Sequence, residues 1–597
     1  MRKNSLRSTM PYLSSGLLTL FGLGVYEGGS WSETVSREEE ETTVNPQLAE
    51  HSKIMQKKIY RVRDNVYLAY GYGLANAAMI VGDDGVIIID TMENEKSGRE
   101  VLEEFRKITD KPIKAIIYTH HHPDHIFGVK AFISENDARE GKTEIYAHES
   151  LLENLTKDID LAPVMSVRAF YSMGTFLEKG PGGAVEAGIG PEWREGSLTF
   201  IRPTKTFRDT LDVEVAGIRM HLFHVPGEAS DEIAVWFPDM AVLHTAEIIQ
   251  GETFPNIYSI RGSRFRDPVK WFKSIDKLRE FPAKHMVPSH GRPVSGNKNI
   301  RGILTAYRDA IQFVHDQTVR FMNKGLTPDE LVEVVKLPKY LAGHPWLGEF
   351  YGTVDHSVRQ IYNGYLGFFD GDMTYLAKPE HVERAVRYVE IMGGRDNIIE
   401  TAQKAIMEKR YGWAMDILTW VIRMNYNDME ARKLKAEALR HWGYLQTSIN
   451  WRNWALTAAL ELEGELDISQ KHGFGSTDII KSLPARGMLE GLTMKLKAEE
   501  TMNVHKILGI SLADTGDRYG LEIRRGVCQF HSELPAKTSA TIIATKDTLI
   551  RILLGEATLE ESAKNGSIEI EGKLEDVKDF FSHFEHPSKE PIKLTMR

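Results

Sequence analysis

Apolar residues change their spacing along this chain, and each change marks a different kind of element. From Lys58 onward, Ile59-Tyr60-Arg61-Val62 and Val66-Tyr67-Leu68-Ala69-Tyr70 alternate, the period of a half-buried strand. Ala77 to Val81 and Val86 to Ile89 are unbroken apolar runs flanking Gly82-Asp83-Asp84-Gly85, and this Asp-Gly turn predicts a hairpin. Helical spacing over 95–109 follows, and then 113–118 is apolar and β-prone, a buried strand. The order β, β, β, α, β, with loops at strand ends, fits an αββα sandwich over 58–299.

Beyond residue 300 the period lengthens. Leu304, Ile311, Val314 and Val319 recur at helical spacing, and 382–392, 398–409, 414–424, 429–442 and 445–462 read as successive helices. Residues 300–468 therefore form an all-α segment of stacked hairpins. A third pattern begins near Ser476. Strands are predicted at 492–497, 506–514, 520–525, 527–531 and 539–544, and a helix at 548–554. Ile568-Glu569-Ile570-Glu571-Gly572 then precedes a helix carrying Phe580, Phe581 and Phe584, so 469–597 is an α+β domain.

The amino terminus stands apart from these patterns. Met1-Arg2-Lys3 and Arg7 precede an apolar stretch over 12–26, with Gly28, Gly29 and Ser30 after it. Residues 1–30 read as a secretory signal peptide or leader, with a signal anchor as the rival, and 31–57, with its Glu run, as a linker. A cleaved signal would make the protein secreted, periplasmic or otherwise routed through a secretory pathway. No other segment has the apolar length to span a bilayer. Of 597 residues, 42% are hydrophobic and 26% charged, and the net charge is −10, which argues against a nucleic-acid partner. Cys528 is the one cysteine, so neither an internal disulfide nor a cysteine-based zinc site can form.

The chemistry concentrates where the strand at 113–118 ends, in Thr119-His120-His121-His122-Pro123-Asp124-His125. Imidazole and carboxylate suit zinc, and alternate residues at a strand end can point into one site. Two histidines on one ion and the Asp-His pair on a second would give a binuclear centre.

This motif resembles the metallo-β-lactamase superfamily. Downstream come His224-Val225-Pro226-Gly227-Glu228, Ala246-Glu247 and Pro288-Ser289-His290-Gly291. The wider superfamily has a histidine where Glu228 stands and a bridging aspartate where Glu247 stands. The two glutamates look like the alkylsulfatases of the superfamily, which hydrolyse detergents such as dodecyl sulfate. The resemblance implies two zinc ions per chain. His120, His122 and Glu228 would hold one, Asp124, His125 and His290 the other, and Glu247 would bridge them. Asp90 would support the metal loop from behind. Asn256 and Arg261 are carried over as sulfate binders, and a guanidinium suits that anion because it makes two parallel hydrogen bonds. Tyr171 lines the pocket, donates to the ester oxygen, or simply packs. The aromatic-rich stretch over 350–371 looks like the family's helical segment, which implies a homodimer. The last domain resembles sterol carrier protein type 2, which shelters apolar ligands. The expected substrate is a small alkyl sulfate. Another hydrolase of the superfamily (a lactonase, thioesterase or phosphodiesterase) and a lipid-binding protein with a vestigial metal site are the rival readings.

Overall fold

In the computed structural model, residues 43–466, 476–585 and 592–594 are described. The signal or leader expected at 1–30 and the start of the linker, 31–42, lie outside the described residues. Among the described residues, no helix is long and apolar enough to cross a membrane.

Two sheets face each other across a shared core. One has seven strands in sequence order: Lys58–Arg63, Val66–Tyr70, Ala77–Val81, Val86–Ile89, Ile113–Ile117, Glu144–His148 and Lys205–Phe207. The other has six, ordered Val294–Ser295, His285–Pro288, Val242–Ala246, Ile233–Phe237, Ile218–His224 and Thr210–Val215. Ile87 and Ile89 point between the sheets, in one cluster with Ile117, Leu222 and Val235. Val86 and Ile88 point outward, in another cluster with Val101 and Phe105 of the helix Glu95–Arg106. A strand covered on both faces is apolar at every position, which is why this run is unbroken. Outside the second sheet, Leu243 and Met286 meet Trp271 and Ile275 of the helix Pro268–Leu278. The layers are α, β, β and α, as the sequence pattern predicts.

The same outer cluster takes in Ile303 and Tyr307 of the helix Asn297–Met322 and Val358 and Ile361 of the helix Val354–Leu366. These helices pack as part of the sandwich although they lie beyond residue 299. The helices His381–Ile391, Arg395–Met407, Tyr411–Met424, Met429–Tyr444 and Ile449–Glu463 build a separate all-α core. Last comes a five-stranded sheet ordered Val527–His531, Arg518–Arg524, His505–Leu512, Ala540–Ala544 and Ile568–Glu571. The helices Lys546–Leu553 and Leu574–Ser582 cover it through Leu549, Val577 and Phe580.

Two expectations change. Residues 492–497 are no strand: the helix Ala485–Leu492 runs into a 3-10 turn, Thr493–Lys495. Leu492 and Leu496 are four apart, one helical turn, and both pack on the C-terminal core, a spacing that also reads as alternation. The described end of the linker is a packed arm instead of a free tether. Its helix Pro46–Ser52 is capped by Asn45 and buries Leu48 and His51, and His51 Nδ1 lies 2.8 Å from the buried Glu186 carboxylate.

The sheet topology sets the site. Val86–Ile89 runs parallel to Ile113–Ile117, and Val242–Ala246 parallel to His285–Pro288. The loops leaving these strands therefore emerge at one edge. There the Ile233 N–H donates to the Thr119 carbonyl at 2.9 Å and ties one sheet to the other.

Candidate metal centre

Asp90 organises that edge. It follows the strand Val86–Ile89 in a left-handed conformation (φ 60°). Its carboxylate accepts the Thr119 N–H and O–H, each at 2.9 Å, and the Ser289 O–H at 2.9 Å. It also takes His125 Nδ1 at 2.8 Å. His290 Nδ1–H donates to the Leu74 carbonyl at 3.0 Å. Each imidazole is thereby fixed with its other nitrogen forward, and the buried Nε2 atoms of His125 and His290 have no hydrogen-bond partner among the described residues. Orphaned buried nitrogens aimed at one point are what metal ligands look like without their ion.

The remaining candidate ligands arrive from three directions. His122 precedes the short helix Pro123–Ile126, which carries Asp124 and His125. Glu228 follows the strand Ile218–His224, and Glu247 follows Val242–Ala246. Three sets of ligand atoms each converge within 4.8 Å: His120, His125 and Glu247; Asp124, His125 and His290; and His122, Glu228 and Glu247. Glu247 reaches both sides. Its Oε2 lies 3.1 Å from His120 Nε2 and 3.3 Å from His125 Nε2, and its Oε1 lies 3.4 Å from His290 Nε2. His120 Nε2 and His122 Nδ1 are 2.9 Å apart. The donor set, three carboxylates and four imidazoles, fits a pair of divalent cations.

The electrostatics agree with that fit. Burial disfavours the Glu247 charge, but His290 and the imidazoles of His120, His122 and His125 hold its carboxyl well below the usual range. Glu228 is pushed well above it by burial and by Glu247, against the pull of Arg266 and Arg261. Buried neighbouring carboxylates resist joint ionisation until positive charge is added. Burial and His120 lower His122 to about 3, so it is the neutral, ligating form. His121 differs. Its Nδ1 meets Asp231 at 2.6 Å and its Nε2 meets Asp158 at 3.2 Å. These carboxylates outweigh burial and raise it to about 10. It braces the loop and is no ligand.

A cavity of about 790 Å³ opens onto the ligands. His122, Asp124, Glu228, Arg261 and Arg266 are among its polar lining, and Leu155, Ile159, Met165, Phe170 and Met173 among its apolar lining. Arg261 Nη1 donates to the Tyr351 hydroxyl at 2.9 Å, and Nη2 lies 3.8 Å from Glu228. Arg168 holds the backbone there, donating to the Arg261 and Ile260 carbonyls at 2.5 and 2.6 Å. Asn256 is fully buried, and neither its side-chain oxygen nor its nitrogen has a hydrogen-bond partner among the described residues. Gln250 accepts the Asn256 N–H at 2.7 Å and donates to Glu247 at 3.1 Å, so Asn256 is tied to the Glu247 carboxylate.

Tyr171 requires a correction. Its hydroxyl donates to Glu461 of the helix Ile449–Glu463, and its ring packs on Phe176 and Trp454. Phe170 and Met173, which share the helix Ala162–Met173 with Tyr171, line the cavity instead. Of the readings open for Tyr171, the structure supports packing. Arg266, not singled out from the sequence, is buried in a close ion pair with Glu228, and its Nη1 donates to the Asn256 carbonyl at 2.7 Å. The signal was a third arginine in Arg261-Gly262-Ser263-Arg264-Phe265-Arg266.

Comparison with known proteins matches these parts in order. The model of the metallo-beta-lactamase superfamily covers residues 70–290, that of alkyl sulfatase dimerisation 327–465, and that of the alkyl sulfatase C-terminal domain 474–590. A linear primary-alkylsulfatase of Pseudomonas sp. is 46% identical over 529 residues, 87% of this chain and 100% of that protein. An alkyl/aryl-sulfatase of Saccharomyces cerevisiae is 29% identical, across 92% of this chain and 87% of its own. Among solved structures, the stereoselective inverting sec-alkylsulfatase from Pseudomonas sp. matches with a TM-score of 0.87 at 27% identity, over 93% of this chain and 89% of that one.

Proposed function

The chain belongs to the alkylsulfatases of the metallo-β-lactamase superfamily, and from that premise we propose that it hydrolyses alkyl sulfates to alcohol and inorganic sulfate with two zinc ions per chain. The observation that carries the reading is the convergence of six side chains, five buried and His122 half-buried, around a seventh, the buried Glu247, beside two inward-facing arginines. His120, His122 and Glu228 would hold one ion, and Asp124, His125 and His290 the other, with Glu247 between them. Two zinc ions held this way supply the Lewis acidity that makes water nucleophilic near neutral pH.

The chain's own residues do the rest. Arg261 and Arg266 face the anionic head and neutralise it, with the planar fork of each guanidinium fixing its orientation. The Asn256 amide, buried and unpaired, has a donor left for an ester or sulfate oxygen. The apolar side of the cavity receives the tail and keeps water from it. The paired cations favour a sulfate ester over a neutral lactone or thioester. A vestigial site in a lipid carrier would not keep every ligand and its support.

The test is sulfate release from dodecyl sulfate, with metal analysis of the same preparation. Two zinc ions per chain are expected. A strong chelator should abolish release, and zinc should restore it. Turnover that survives chelation, or one ion per chain after zinc-replete expression, would overturn the binuclear reading. We also propose a homodimer built on the dimerisation region, whose exposed Leu366, Phe368, Leu376 and Ile391 are unusually apolar for a free surface.

A further inference from the structure

One wall of the cavity is a two-helix hairpin, Leu151–Ile159 and Ala162–Met173. Leu155 and Ile159 of the first helix, with Met165, Phe170 and Met173 of the second, give this wall its apolar lining, beside the polar Asn154 and Asp158. The back of the first helix meets the C-terminal domain. Its partner there, Ala485–Leu492, carries glycines one turn apart at the contact. A Cβ on Gly487 would come within 2.5 Å of Thr156 Cγ2, and a Cβ on Gly491 within 2.2 Å of Asp160 Oδ1. Neither glycine has a left-handed backbone that would call for glycine by itself. Their lack of a Cβ makes room for the Thr156 and Asp160 side chains that reach across from the first helix and its C-terminal end.

The C-terminal domain is also anchored firmly next to this wall. Asp478 accepts the Phe200 N–H at 3.0 Å and pairs with Lys130 at 2.5 Å. Ile479 and Leu483 share one buried cluster with Leu151 and Leu155. Leu155 thus belongs both to that joint core and to the cavity lining. The position of the wall depends on how closely the C-terminal domain seats against it.

We propose that the C-terminal domain sets the tail selectivity of the enzyme, by holding the hairpin 151–173 at the distance that grips a long alkyl chain. The inference rests on the alkyl sulfate reading above. The domain then acts through Gly487 and Gly491 as a positioning element and touches no reacting atom. Each methylene buried against the wall should raise kcat/KM by roughly four-fold, until the tail outruns the cavity.

The experiment measures kcat/KM for hexyl, octyl, decyl and dodecyl sulfate with the zinc-replete full chain and reads the gain per added carbon. Gly491→Leu should push the hairpin forward, flatten the gain for the longer tails and leave hexyl sulfate within about two-fold. Gly487→Ala adds a single methyl against Thr156 and should do the same more mildly, which covers a Gly491 variant that fails to fold. Thr156→Ser removes the methyl that this Cβ meets, so Gly487→Ala with Thr156→Ser should recover the parental gain. An unchanged gain per carbon, an equal loss at every tail length, or no recovery in the double variant would each overturn the inference. A parent that releases no sulfate from any of the four would instead overturn the function it rests on.

Discussion

On the proposed reading Arg261 and Arg266 would carry the anion recognition, and the surroundings of Arg261 set the loss expected from changing it. Arg261 is held from behind by Arg168 and fixed at its tip by Tyr351. Arg261→Ala should cost roughly 2–4 kcal/mol in kcat/KM for alkyl sulfates, the range for an oriented charge-stabilising donor, with zinc content unchanged. Arg261→Lys should recover only part, because a point charge does not replace the fork. Near-parental turnover of dodecyl sulfate by the alanine variant would remove Arg261 from the site. The sequence could offer three arginines here but not their directions. The Arg264 side chain is 52% exposed and that of Arg266 is 2% exposed, a difference that depends on where Glu228 falls in three dimensions. Asp90 makes the second residue-scale case. Asparagine tolerates the left-handed backbone there, so Asp90→Asn keeps the turn. It leaves fewer acceptors for Thr119, Ser289 and His125, and His125 loses its orientation. Zinc affinity should fall about 10–100-fold, as read by chelator competition.

At the scale of elements, the strands and helices with clean periods were legible, because burial on one face or both writes itself directly into the pattern. What was not legible depended on contacts between distant segments. Tyr171 sits in a helix whose neighbouring residues line the cavity, and only the packing of Ile449–Glu463 turns its ring the other way. The helix Val354–Leu366 adds a testable detail at its start. Thr353 caps it, and His356 returns the bond, its Nε2 accepting the Thr353 N–H at 3.1 Å while Trp451 Nε1 stands 3.1 Å from Nδ1. Burial, and then Arg266, lower His356 from 6.5 to about 3. Between those values the unfolded chain binds a proton that the folded chain refuses. Stability from this residue is therefore complete above pH 6.5 and falls as the pH drops toward 3, by up to about 1.4 kcal/mol per unit. His356→Gln preserves the capping arrangement and does not titrate. Between pH 7.5 and pH 5 the parent should lose about 2 kcal/mol more than this variant in urea titrations. Parallel losses would show that the ring is not kept neutral by the fold.

The whole molecule is less divided than its sequence. The three patterns along the chain do mark three kinds of architecture, but two of their edges are crossed by shared cores. The helices Asn297–Met322 and Val354–Leu366 complete the sandwich, and Ile479 and Leu483 of the C-terminal part enter the cluster beneath the first sheet. Apolar spacing tells how an element is buried, not which neighbour buries it, so such edges cannot be placed from periodicity alone. The same limit applies to association. The stretch from Tyr365 to Ile391 holds a run of large apolar side chains facing outward, with Phe368 at 71% and Ile391 at 83% exposure. It lies within the segment matched by the dimerisation model at 327–465. A monomer rarely tolerates so much apolar surface in one patch, and a stable dimer needs roughly 800 Å² from each partner. In the homodimer proposed above, a second copy of the chain would cover this surface. Phe368→Asp together with Leu376→Asp places two charges among these exposed apolar side chains and changes no candidate metal ligand. Sedimentation should then give a monomer where the parent gives a dimer at the same concentration, with zinc content unchanged. A parent that sediments as a monomer, or a double variant that remains dimeric, would move the interface to another face.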